Sequence, residues 1–154
     1  MTHAVFWLAQ DLLTVLTNGA VRVPEIFLLS LAYRLLTGER EAGVFSIWAA
    51  FLGGLLWDLR WVGFPGFYTL TYVAVVMGLL GLWNTLPAQG RTPLVVFSLF
   101  WASQLLPATL AVLILHRAED DAARSLFLMQ QGYAIPLSLL SAFFHFQRKD
   151  DQNA

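Results

Sequence analysis

The chain has 154 residues, 58% of them hydrophobic and 12% charged, with a mean hydropathy of +0.64. That leaves too little polar surface to coat a water-soluble globule, in which roughly a quarter of residues are charged. A formal net charge of -1 with scattered Lys and Arg argues against a nucleic-acid groove, and the absence of cysteine removes disulfides, thiolate nucleophiles and cysteine-based metal sites.

The composition predicts one integral membrane domain over 1–154, all-α, with residues 147–154 as a polar C-terminal tail. The apolar segments run Ala4 to Val21, Pro24 to Leu36, Ala42 to Trp61, Phe67 to Trp83, Pro93 to Leu115 and Ser125 to Phe146. A crossing takes about 20 residues, so the expected architecture is a polytopic bundle of about six transmembrane helices, with five as the alternative. The first segment is interrupted by Gln10 and Asp11, and the second is short. The opening residues lack the basic region and cleavage site of a secretory signal and read as a retained membrane segment. The segments are apolar on every side, which argues against a β-barrel. Asn18-Gly19, Pro24, Gly38 and the stretch from Pro87 to Pro93 punctuate the boundaries, and most of the six Trp fall near segment ends, as in an aromatic belt. Cytoplasmic termini put Arg34, Arg40, Arg91, Arg148 and Lys149 inside and Arg22, Arg60, Arg117 and Arg124 outside, a small bias in the expected direction.

In the third segment Ser46, Ala50, Gly54 and Asp58 recur every four residues and so share a helix face, with Ala49 and Gly53 alongside. Small residues at that spacing let a second helix approach closely, one of the few forces that associates helices in lipid. The fourth segment offers Ala74, Gly78 and Gly81 as the answering face, and the short connection makes the two segments antiparallel neighbours. Asp58 lies one turn beyond Gly54. It reads either as a plain juxtamembrane charge or as a structural clamp that accepts hydrogen bonds from the turn containing Gly63 and Gly66.

Other polar residues sit inside apolar segments, Glu25 among them, as a candidate intramembrane polar or partner site. Asp11 beside Gln10 faces either protein or headgroups. Ser103, Gln104 and Pro107 in the fifth segment, with Gln130, Gln131, Tyr133 and Pro136 in the sixth, make a kinked polar region. That region is either a binding cavity or partner groove, or ordinary interhelical hydrogen bonding. His3, His116 and His145 fall at different segment ends, so no shared metal site is expected. Ser, His and acidic residues are too dispersed for a catalytic set, and neither an enzyme activity nor a cofactor is expected.

The run Phe51-x-x-Gly54-x-x-x-Asp58-Leu59 followed by Gly63, Gly66 and Leu70 resembles the signature region of the MreD family of bacterial rod-shape-determining membrane proteins. Pro24-Glu25-Ile26-Phe27-Leu28-Leu29 with Tyr33 is similar to the opening of that family's second span, and Gln10 stands where its first span often carries Gln. Gly63 is displaced by one residue from the family spacing, and Pro65 is unusual in that turn. The resemblance covers roughly the first 80 residues. It implies a non-enzymatic scaffold in the bacterial inner membrane, binding MreC directly and, through it, MreB, RodA and the class B penicillin-binding protein. It also implies a fold like that of the substrate-binding subunits of energy-coupling-factor transporters, so a vitamin-transporter subunit is the alternative function. The Trp-rich and small-residue faces would permit a homodimer in the lipid bilayer.

Overall fold

The computed structural model describes residues 2–18, 21–38, 41–62, 65–115 and 121–153. Among them are six α-helices and no strand: α1 (Thr2–Thr17), α2 (Ile26–Thr37), α3 (Glu41–Trp57), α4 (Phe67–Thr85), α5 (Pro93–Leu115) and α6 (Asp121–Asn153). Asp58–Val62 forms a π-helical turn directly after α3, and Ala88–Gly90 a short 3-10 turn between α4 and α5. Residues 147–153, expected as a tail, continue α6 as helix.

Among the described residues four helices are long and apolar enough to cross a membrane: α3 with its π-helical turn, α4, α5 and α6. The expected count of six is not reached on length. α1 has 16 residues and α2 has 12, and at 1.5 Å per residue α2 extends only about 18 Å against a hydrocarbon core of about 30 Å. The packing shows why α2 can be short. It touches all five other helices, and Leu28, Leu31 and Ala32 are wholly buried, with Phe27, Leu29, Leu35 and Leu36 nearly so. A helix enclosed by neighbours has no lipid thickness to match.

Around that centre the helices alternate in direction, α3 pairing most extensively with α4 and α5 with α6. The outer helices turn their large apolar side chains outward. On α1, His3, Trp7, Gln10 and Thr14 recur at helical spacing and face the bundle, whereas Val5, Leu8, Leu12 and Leu16 point away, Leu16 being 70% exposed. α6 does the same: Gln130, Gln131, Ala134, Ser138 and Ala142 are buried, and Leu128, Leu139, Leu140 and Phe143 are exposed. Polar and small inside with large and apolar outside reverses the pattern of a water-soluble helix and suits lipid as the surrounding solvent. Trp57 and Trp83, assigned by sequence to the aromatic belt, are instead buried.

Candidate functional site

The α3–α4 seam begins with close backbone approach. Ser46, Ala50 and Asp58 are fully buried along one face of α3 and its π-helical turn. A Cβ built on Gly54 would lie 2.6 Å from the Cα of Thr69 and 2.8 Å from both its nitrogen and the Tyr68 carbonyl oxygen. Only glycine allows that contact. At Gly53 the neighbour is the Phe27 ring, 2.3 Å from such a Cβ, and the Gly53 carbonyl accepts the Trp7 indole N–H at 3.1 Å.

The answering face of α4 is not the expected one. Ala74, Gly78 and Gly81 are exposed, and a Cβ on Gly78 or Gly81 would meet nothing within 4 Å. The residues that meet α3 are Thr69, opposite Gly54, and Leu80, opposite Gly43. α4 has small and apolar residues on all sides, so spacing alone does not select the packed one. Ala74 and Gly78 line a shallow groove of about 210 Å³ between α4 and α5, with Thr71, Ala102 and Leu106 among its other walls.

At the end of the seam, α4 starts without a side-chain cap of its own, because its N-cap is Gly66 at φ +120°. A helix start leaves backbone N–H groups without intrahelical acceptors. Asp58 supplies the acceptors from the preceding turn. Its Oδ1 accepts the Tyr68 N–H at 2.8 Å, and its Oδ2 accepts the Gly66 N–H at 2.9 Å, the Thr69 N–H at 2.9 Å and the Thr69 hydroxyl at 2.7 Å. A carboxylate at a helix N-terminus also opposes the positive end of the helix dipole. The π-helical turn is the local irregularity from which Asp58 reaches the cap. Gly63 lies outside the described residues.

A second polar construction surrounds the start of α2. Residues 22–25 are non-helical and lead into the bundle, with Pro24 and Glu25 buried. Irregular backbone within a bilayer is tolerated only where protein satisfies it. Three glutamines do this from three helices. Gln10 of α1 accepts the Phe27 N–H at 2.9 Å through Oε1 and donates to Glu25 Oε2 at 2.7 Å through Nε2. Gln104 of α5 accepts the Glu25 N–H at 2.8 Å and donates back to the Glu25 carbonyl at 3.0 Å. Gln130 of α6 donates to the Val23 carbonyl at 3.2 Å. Pro24 fits here because it has no N–H to satisfy. The Tyr72 hydroxyl of α4 completes the collar with a short hydrogen bond to Glu25 Oε2.

The sequence-predicted polar residues therefore divide. Gln10, Glu25, Gln104 and Gln130 meet, with Pro107 buried one turn beyond Gln104. Asp11 turns away to Arg60, at 2.6 Å, and accepts the Trp61 indole N–H at 2.9 Å. Gln131 accepts the Trp101 indole N–H at 3.2 Å, and Pro136 is exposed on the outer face of α6. These three do not join the collar because helical rotation carries them to other faces. His3 bonds the Ser30 hydroxyl at the opposite end of the bundle, His145 packs edge-on to Trp83, and His116 lies outside the described residues. Among the described residues no three His, Cys, Asp or Glu side chains gather as metal ligands.

Tyr72 was not anticipated. Its one signal is the four-residue spacing from Tyr68, which puts both rings on one face of α4, edge to face with centroids 5.6 Å apart. Beside Glu25 opens a cavity of about 440 Å³ whose walls include Arg22, Trp57, Trp61 and Tyr68. The Arg22 guanidinium donates to the Tyr68 hydroxyl at 3.3 Å.

The collar makes a prediction of its own. Removing the amide in Gln104→Ala leaves the buried N–H and C=O of Glu25 without their partners and should cost about 2 kcal/mol. Gln131→Ala, which loses one bond to a half-buried indole, should cost well under half of that. Unfolding in mixed micelles compares the two, and equal losses would contradict the collar's importance.

Compared with protein-family models, curated proteins and solved structures, the chain matches none.

Proposed function

We propose that this chain is a non-enzymatic, multi-pass scaffold of the bacterial cytoplasmic membrane, similar to MreD, that helps maintain rod cell shape. It binds MreC and through it serves MreB, RodA and the class B penicillin-binding protein in peptidoglycan synthesis. In this reading both termini are cytoplasmic, and α1 and α2 complete six crossings, α2 shielded from lipid by its neighbours.

The observation that carries the reading is the Asp58 clamp. Within the stretch of the resemblance, α3 with its π-helical turn and α4 form a hairpin in which the Asp58 carboxylate holds α4 against α3. A hairpin fixed in this way suits a rigid surface against which another membrane protein packs. Its outward side, with Ala74 and Gly78 open toward the α4–α5 groove, has the small residues that let a single helix such as that of MreC approach closely.

The test is capture of MreC by the purified chain in detergent. Wild-type protein should retain MreC. Gly78→Leu, which fills open space and leaves the fold intact, should lower recovery by about tenfold, the equivalent of about 1.4 kcal/mol. Recovery unchanged by Gly78→Leu would remove the α4 face from the proposal, and failure of the wild-type chain to capture MreC would remove the proposal itself.

A further inference from the structure

The cavity beside the collar has a carboxyl group and a guanidinium on its walls that do not pair with each other. Among the described residues the ion pairs are Asp11–Arg60 and Asp121–Arg124. Glu25 is buried, and both of its side-chain hydrogen bonds, from Gln10 and Tyr72, fall on Oε2. Its Oε1 takes no hydrogen bond among the described residues. Oε1 is not among the fully enclosed polar atoms that lack a partner, so it is the carboxyl oxygen left open to the cavity, and on so buried a side chain an N–H donor, above all a charged one, is strongly favoured there. Arg22 offers five N–H donors, and among the described residues the hydrogen bond it makes is one, to the Tyr68 hydroxyl.

The wall between them is aromatic. Trp57 lies 6.2 Å from Tyr68 and 6.1 Å from Trp61, centroid to centroid, and all three line the cavity together with Val21, Val62 and Leu126. Aromatic faces attract an ammonium group by cation–π interaction. The volume, about 440 Å³, falls within the range of small-molecule sites.

We infer that this cavity binds a small zwitterion, its primary ammonium against Glu25 Oε1 and the aromatic wall, and its phosphate or carboxylate against Arg22. A ligand carrying both charges avoids burying a net charge. The same chemistry has two sources: the phosphoethanolamine headgroup of a phospholipid, with its chains along the Val21, Val62 and Leu126 side, or a soluble zwitterion. This site is independent of the scaffold reading and would stand if MreC did not bind.

The experiment uses the delipidated full chain in detergent, titrated with phosphatidylethanolamine, phosphatidylcholine and phosphatidylglycerol, and separately with glycerophosphoethanolamine. Binding is read by native mass spectrometry and thermal shift. Phosphatidylethanolamine should bind at one site at least about tenfold more tightly than phosphatidylcholine, whose quaternary ammonium cannot donate to Glu25, or phosphatidylglycerol, which has no ammonium. Tight, selective binding of glycerophosphoethanolamine as well assigns the site to soluble zwitterions, and selectivity confined to the phospholipid assigns it to the headgroup in the bilayer. Arg22→Gln, on a half-buried non-helical residue, should weaken the preferred ligand by about tenfold without loss of fold, and Glu25→Gln should abolish the preference for ammonium. Equal binding of all three lipids by the wild-type chain with no binding of glycerophosphoethanolamine overturns the inference. So does an affinity for the preferred ligand that survives Arg22→Gln unchanged.

Discussion

Asp58→Ala is expected to cost about 3–4 kcal/mol of stability in detergent, among the largest effects of any single truncation in this chain. The carboxylate accepts four hydrogen bonds, three from backbone N–H groups at the start of α4 and one from the Thr69 hydroxyl. Interhelical hydrogen bonds in membranes average about 0.6 kcal/mol each, which sets a floor of roughly 2.4 kcal/mol for four. These lie above the average because a charged acceptor strengthens each bond and because alanine leaves the donors buried and unpaired, at about 1–3 kcal/mol per group. An ordinary N-cap substitution costs about 1 kcal/mol because water takes over the freed N–H groups, and water has little access to a residue that is 0% exposed. Asp58→Asn separates the contributions. Its amide oxygen in the Oδ2 position keeps three of the four bonds and sets an N–H₂ against the Tyr68 N–H, for a cost of about 1–2 kcal/mol. Denaturant titration of the two variants and the wild type checks the order. A loss for Asp58→Ala no greater than 1 kcal/mol would mean that the α4 start reaches water and the clamp is ornamental.

The clamp was legible in the sequence because all of its determinants are local. Asp58 and the donors it meets are 8 to 11 residues apart, and the glycine spacing that brings α4 back against α3 lies in the same stretch. The collar was legible only as ingredients. Gln10, Glu25, Gln104 and Gln130 each stood out as polar groups in apolar surroundings, but the bonds that join them span up to 107 residues, and nothing in the periodicity of one helix fixes its rotation relative to another four elements away. The same gap accounts for the misplaced face of α4. Ala74 and Gly78 share a helix face with each other, as their spacing says, but that face is turned to the α4–α5 groove while Thr69 and Leu80 meet α3. In lipid both small and large residues can lie outward, so the rule that identifies a buried face in a soluble helix loses its force. The short segment from Pro24 to Leu36 hides its setting for a related reason: its length says nothing of how far neighbouring helices enclose α2, most of whose apolar side chains are buried against them.

Gly54→Ala should be nearly as damaging as loss of the clamp, and for a reason that ties the two together. A single added methyl would sit 2.6 Å from the Thr69 Cα and 2.8 Å from the Thr69 nitrogen and the Tyr68 carbonyl oxygen, where carbon contacts normally settle at about 3.5–4.0 Å. All three obstacles are backbone, so no rotamer change relieves the clash and α4 must retreat from α3 by roughly 1 Å. Thr69 is also the residue that gives Asp58 two of its four hydrogen bonds. A 1 Å retreat stretches those bonds toward the limit of useful length, so the methyl costs both packing and part of the clamp, about 2–3 kcal/mol together. Two comparisons isolate the cause. Gly78→Ala adds the same methyl where nothing lies within 4 Å and, by helix propensity alone, should be neutral or stabilising by up to about 1 kcal/mol. The double variant Gly54→Ala with Asp58→Ala should cost at least about 1 kcal/mol less than the sum of the singles, because the bonds weakened by the first are already absent in the second. Strict additivity in that cycle, measured by unfolding in micelles, would mean that the seam and the clamp are separate devices, and that the α3–α4 hairpin is not held as one unit.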